Sequence, residues 1–208
     1  MRIPRFRVIA GLILGPAIIA SALVASTPAS ASPALTPPAP SFETCKTVGN
    51  GFICEGTNSF SYSGSDTGLA CGSGAGAFDI FDQATVNVRD TRFYNTDGNL
   101  TRGITDVQAS GQYSNPLTGA TVPYIQHQTI TNVLAVPGDL TSRTATITGQ
   151  NNFTVPGMGA VFLNAGRVVT VDNDSTIDFS AGPQEAFDYY FNGNTAAIAE
   201  LCTALGAS

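Results

Sequence analysis

The sequence has no tryptophan, two methionines, a single histidine (His127) and a single lysine (Lys46). Any histidine-based acid–base or nucleophilic mechanism must therefore run through His127. Basic residues are scarce enough to leave a formal charge of −6. No basic patch is available for a nucleic-acid backbone or an anionic lipid surface, so neither is an expected partner. The four cysteines include no CxxC pair, which excludes the usual structural zinc spacing. The glycine-rich run Cys71–Gly76 has no following Gly-Lys-Ser/Thr and no strand-loop-helix context, so it reads as a flexible connection and not as a phosphate loop. Helical periodicity is also missing over nearly half of the chain, from Ala84 to Ser180.

The N-terminus reads as an export signal. Arg2, Arg5 and Arg7 precede an uncharged apolar run from Val8 to Val24, and Ala29-Ser30-Ala31 offers small residues for cleavage after Ala31. The break at Gly15-Pro16 argues for removal over retention as an anchor, so no stable membrane insertion is expected after cleavage. Loss of the three arginines takes the formal charge from −6 to −9. Residues 32–41, rich in Pro, Ala and Ser, have no periodicity and read as a disordered spacer. The remainder, 42–208, is a suitable length for one domain.

Within that domain, turn signals recur between strand-like runs. Asp97-Gly98 separates Ala84–Tyr94 from Leu100–Tyr113, and Asn115-Pro116 to Gly119 leads into Ala120–Val136. Pro137-Gly138, Pro156-Gly157 and Asp172–Ser175 then set off Leu140–Val155, Ala160–Val171 and Thr176–Ser180. Short turns between successive strands predict an antiparallel meander. Long strands with few one-sided apolar faces point to closure into a small barrel of about eight strands, which would remove exposed edges. After Gly182-Pro183 the period changes: Ala196, Ile198, Leu201 and Leu205 predict a short C-terminal helix with Thr195 as N-cap. The expected fold is therefore mainly β, a meander barrel with a terminal helix.

Four cysteines in an exported chain predict two disulfides. Three pairings are possible in principle. Gly49-Asn50-Gly51 lies midway between Cys45 and Cys54 and suits a hairpin, which favours Cys45–Cys54 and leaves Cys71–Cys202 to join the start of the domain to its end.

The chain resembles a group of uncharacterised secreted actinobacterial proteins. The residues carrying the resemblance are the Cys…Cys…Cys-Gly lead-in, Phe78-Asp79-Ile80, Arg92–Leu100, Pro156–Gly159, Asn164–Arg167 and the closing Leu201–Leu205. It covers most of residues 44–205 and implies no activity. More distantly, the meander is similar to the barrels of allene oxide cyclases and dirigent proteins, an architectural likeness that carries no catalytic residue across.

On the strand Ala120–Val136, the phase of Val122, Ile130, Leu134 and Val136 is the more apolar and reads as interior. That phase turns Tyr124, Gln126 and Gln128 inward and His127 outward. Polar groups inside a barrel must bond to each other, to water or to a ligand. Tyr124, Gln126, Gln128 and Arg92 are accordingly the candidate ligand-binding residues, against the simpler reading of a structural network. Arg92 has a ready partner in Asp90 or Asp106, and Arg167 raises the same question. Asp172, Asp174 and Asp178 are spaced for calcium but lack the full loop and its bidentate Glu, so they read as an acidic turn. No catalytic residue, metal or cofactor is assigned. The expected function is a secreted, non-enzymatic barrel binding a small apolar or amphipathic ligand, or an interaction module of the cell envelope. The alternative is a cyclase or isomerase confining an apolar substrate, with Tyr124, Gln126 or Gln128 as its polar group.

Overall fold

The structure is a computed structural model that describes residues 33–207. The export signal expected over residues 1–31 lies outside the described residues. Eight strands follow one another: β1 Glu43–Val48, β2 Gly51–Cys71, β3 Phe78–Tyr94, β4 Leu100–Ser114, β5 Thr121–Leu134, β6 Arg143–Val155, β7 Gly159–Val171 and β8 Thr176–Ala181. Each pairs antiparallel with the next in a single eight-stranded sheet of order β1 to β8. Two helices complete the chain, α1 Glu185–Asn192 and α2 Ala199–Ala204.

The meander is as expected, and so are its turns. At Asp97-Gly98 the Asn95 Oδ1 accepts from the backbone amides of Asp97 and Asn99, and Gly98 takes φ +80°. Two features go beyond the sequence reading. The stretch before Cys71 forms β2, a strand of 21 residues whose register shifts between Tyr62 and Ser65 and again between Asp66 and Ala70. The terminal helix occupies only Ala199–Ala204, preceded by a 3₁₀ turn over Thr195–Ile198, and a separate helix, α1, precedes both.

The expected closure into a barrel is not made. β1 and β8 are the two edges of the sheet and do not pair. Both are six residues long, against 13 to 21 for the strands between them, and so offer little edge to join. At one end of the sheet α1 lies where the edges would meet. On one side Glu185 accepts from Leu163 N (2.6 Å) and Ala186 N donates to Asn164 Oδ1 (2.9 Å), both on β7. On the other side Tyr190 donates its hydroxyl to Thr67 O and Tyr189 accepts from Ala70 N (3.2 Å), both on β2. A helix bonded to both flanks satisfies groups that strand pairing would otherwise satisfy.

The same end holds the main core. Leu69, Ile80, Val122, Tyr124, Phe153, Val161 and Phe162 come from five strands and pack against Ile198, Leu201 and Leu205 of the C-terminal turn and helix. At the far end a smaller cluster of Cys54, Tyr94, Leu100 and Leu134 is covered by Leu35 and Ala39. The segment that reads as a spacer is extended there and lies against the sheet. Thr36 N donates to Gly98 O and Leu100 N to Thr36 O, each at 2.8 Å, and Tyr94 donates its hydroxyl to Pro37 O at 3.1 Å. Disulfides join Cys45 to Cys54 and Cys71 to Cys202, as the hairpin argument favoured.

Candidate functional site

Strand alternation gives the sheet two faces. The front face carries Tyr124, Gln126, Gln128 and, four residues further along β5, Asn132. Arg92 is on this face too, since it is level with Gly103 and Asn132 across β4 and β5. The back face carries His127, which is exposed.

The structure puts the four candidate ligand residues on one face without bringing them together. Tyr124 is 5 % exposed inside the main core, 4.8 Å from the Phe153 ring centre. Its hydroxyl donates to Asp82 Oδ1 at 3.1 Å, and Tyr62 donates to Asp82 Oδ2 at 2.6 Å. Burial raises the Asp82 carboxyl above its ordinary range, and burial likewise lifts the Tyr62 and Tyr124 hydroxyls, with Asp82 adding to both. Gln126 Nε2 donates to Gln128 Oε1 at 2.7 Å, so these two amides bond to each other. Arg92 is level with Asn132, eight residues from Tyr124 along β5, or about 26 Å at ~3.3 Å per residue.

Arg92 does belong to a cavity, at the far end. A space of about 250 Å³ lies beneath Pro37 of the N-terminal arm. Leu100, Leu134 and Leu140 are its apolar lining, and Asp90, Arg92, Thr105, Asn132 and Arg143 its polar lining. Each polar residue has a local reason for its place. Arg92 Nε donates to Asp90 Oδ2 at 3.0 Å, and Thr105 Oγ1 donates to Asp90 Oδ1 at 2.8 Å, so both oxygens of this buried carboxylate are held. Arg143 donates through Nη2 to Asp174, which also accepts from Thr170. Two polar atoms of the wall remain without a partner among the described residues, Asn132 Oδ1 and Arg143 Nε. An orphaned buried polar atom costs about 1–3 kcal/mol unless something outside the fold bonds to it.

A second carboxyl stands behind Arg92. Glu43 of β1 is in register with Gly56 of β2, which is in register with Asp90 of β3. Gly56 has no side chain to part the two acids, and its place is filled by the Phe42 carbonyl oxygen, 2.4 Å from where a Cβ would be. Glu43 Oε1 lies 3.0 Å from Arg92 Nε, and its side chain is 0 % exposed. Neither Glu43 oxygen has a hydrogen-bond partner among the described residues. Burial first, and then the adjoining Asp90 carboxyl, push Glu43 up to about 7 against the pull of Arg92.

A larger groove, about 680 Å³, crosses the back face over five strands, β2 to β6. Its side chains form two rows: Ser59, Asn87, Gln108 and His127, then Thr57, Arg89, Asp106, Thr129 and Thr148. Thr129 donates to Asp106 Oδ1 at 2.7 Å. Most of these side chains are exposed, none of the lining residues is buried, and the lining contains no Phe, Tyr or Trp. A solvated sheet face accounts for this arrangement.

Sequence reasoning identified Arg92 and Asp90 and missed Glu43, Thr105, Asn132 and Arg143. One signal pointed to Glu43: it lies two residues before Cys45, hence on the face that Cys45 shares with the buried Cys54. Asp174 of the acidic turn is bonded to Arg143 and Thr170, and the Arg167 guanidinium sits 5.5 Å over the Phe179 ring. Compared with known protein families, curated proteins and solved structures, the chain matches none.

Proposed function

We propose that the chain is an exported, non-enzymatic binding module that takes a small amphipathic ligand in the cavity beneath its N-terminal arm. The observation that carries this reading is the composition of the cavity: three leucines together with charged and amide side chains that have bonding capacity left over. Ligand sites are typically concave and apolar with a few placed polar groups. At about 250 Å³ the cavity is below the ~300–1,000 Å³ of drug-sized sites, so the ligand is small.

Export is supported by the N-terminal signal and by two disulfides, which persist in oxidising compartments. No helix among the described residues is long and apolar enough to cross a membrane. Non-enzymatic binding is favoured because His127 is exposed on the opposite face. Of the polar groups an isomerase could use, the Tyr124 hydroxyl is engaged with Asp82 and the Gln126 and Gln128 amides with each other. The test is native against denaturing mass spectrometry of the protein recovered from a secreting actinobacterial host. Extra mass that leaves on denaturation supports the module and identifies its ligand. A bare chain that also fails to saturate with amphipathic probes overturns it.

A further inference from the structure

The cavity walls carry two guanidiniums, Arg92 and Arg143, and one carboxylate, Asp90, an excess of one positive charge. Two further acids stand outside the lining. Asp174 holds Arg143 from a side chain that is 44 % exposed, where water screens it. Glu43 is buried behind Arg92. The hydrogen bonding of the wall leaves one donor and one acceptor open. Asp90 is satisfied by Arg92 and Thr105, whereas Arg143 retains an unpartnered N–H at Nε and Asn132 an unpartnered Oδ1. A cationic headgroup would meet two guanidiniums. A neutral hydroxyl would serve both open atoms without countering the excess charge. A carboxylate accepts from Arg143 and counters that charge, and arginine–carboxylate pairs are the stronger kind of hydrogen bond.

We propose that this cavity binds a small monocarboxylic acid, its carboxylate held by Arg92 and Arg143 and its apolar tail against Leu100, Leu134 and Leu140. The proposal rests on the cavity being the ligand site and adds the chemical class of the ligand. Size narrows the class further. About 250 Å³ holds roughly eight non-hydrogen atoms at ~30 Å³ each, a water molecule's share of liquid volume. Hexanoate is of that size.

Glu43 gives the site a pH signature. The charged or titratable groups around it are Asp90, Arg92 and Tyr94 on β3, with Arg143 on β6 across the cavity. Below about pH 7 Glu43 is protonated and Arg92 has only Asp90 to neutralise it. Above that pH Glu43 adds a second negative charge beside Arg92, and a ligand carboxylate binds less well.

The experiment titrates the mature chain, by calorimetry, with hexanoate, hexanol and hexylamine at about pH 6 and about pH 8. Expected are saturable, single-site binding of hexanoate at the lower pH and hexanol weaker by about tenfold or more, the ratio given by ~1.4 kcal/mol. Hexylamine gives no saturation. Hexanoate affinity falls at the higher pH, and Glu43→Gln removes that fall. Arg143→Gln lowers hexanoate affinity by about tenfold and hexanol affinity by much less, so that the preference for the carboxylate narrows. Hexanol binding as tightly as hexanoate overturns the carboxylate assignment while leaving the cavity as a ligand site. Saturation with none of the three overturns the assignment and counts against the cavity reading as well. The comparison of three ligands on the unaltered chain decides the matter even where Arg143→Gln does not fold.

Discussion

Cys71, the last residue of β2, is joined to Cys202 of α2 across 131 residues of sequence. This bond fastens the C-terminal helix over the core that Leu201 and Leu205 complete. In the chain-entropy account, closing so long a loop stabilises by about 5 kcal/mol, whereas the nine-residue separation of Cys45 and Cys54 yields about 2.5 kcal/mol. Replacing Cys71 and Cys202 together by alanine is expected to lower the urea unfolding free energy by roughly twice as much as replacing Cys45 and Cys54. Equal losses would show that the long loop is already constrained in the unfolded chain.

Gly149 lies on β6 opposite Gln128, at φ +127°, with a Cβ position 2.1 Å from the His127 carbonyl oxygen. Its register partner on β7, Gly166, has φ +112° and a Cβ position 2.2 Å from the Ala181 carbonyl oxygen. Both positions combine a conformation that L side chains rarely adopt with a backbone atom in the way. Gly149→Ala and Gly166→Ala are each expected to cost about 3 kcal/mol or more. Chemical denaturation checks this, and losses under about 1 kcal/mol would mean that β6 and β7 can shift to make room.

Much of the sheet was legible because its turns are written in local chemistry. Asp97-Gly98 and the Pro-Gly pairs fix reversals whatever the surroundings, and β3 to β8 follow from them. β2 was illegible from Ser59 onward because Ser, Gly and Asp give no alternation; its pairing with β3 imposes the extended form. Barrel closure was inferred from strand length, but which elements seal the edges depends on α1. That aromatic-rich helix follows Gly182-Pro183 and is only eight residues long, too short for a helical period to stand out. The cavity was the least legible feature. Pro37, Arg92, Thr105, Asn132 and Arg143 come from the arm and four strands, and only the finished register sets them side by side.

Asp82 ties two tyrosines to β3. Tyr124 is 5 % exposed, so removing its acceptor leaves a largely buried hydroxyl without that bond, a loss of about 1–3 kcal/mol. Asp82→Ala is expected to cost that much. Tyr62→Phe removes one neutral-side partner and leaves Asp82 bonded to Tyr124, so about 1 kcal/mol is expected. Urea unfolding of the two variants distinguishes them. A larger loss for Tyr62→Phe would show that Tyr62 contributes chiefly through packing and not through its hydroxyl.

Glu43 makes the stability of the arm end depend on pH. Its folded-state pKa, raised to about 7 from an ordinary 4.5, means that the folded chain holds this proton more tightly than the unfolded chain does. The contribution is therefore fully present below about pH 4.5 and is lost as pH rises through about 7. After allowance for solvent screening, the loss is on the order of 1–2 kcal/mol. Glu43→Gln keeps the shape and never ionises, so its stability should fall less over this range than that of the unaltered chain, the remaining fall coming from the raised Asp82 and Glu185 carboxyls. The arm should respond first, because Leu35 and Ala39 cover the same end of the sheet. Amide hydrogen exchange at Thr36 and Leu100, whose amides hold the arm to β4 and its turn, is expected to quicken at about pH 8 beyond the intrinsic rate increase in the unaltered chain, but not in Glu43→Gln. Parallel pH profiles for the two proteins would place the Glu43 carboxylate in contact with water and remove the basis for this coupling.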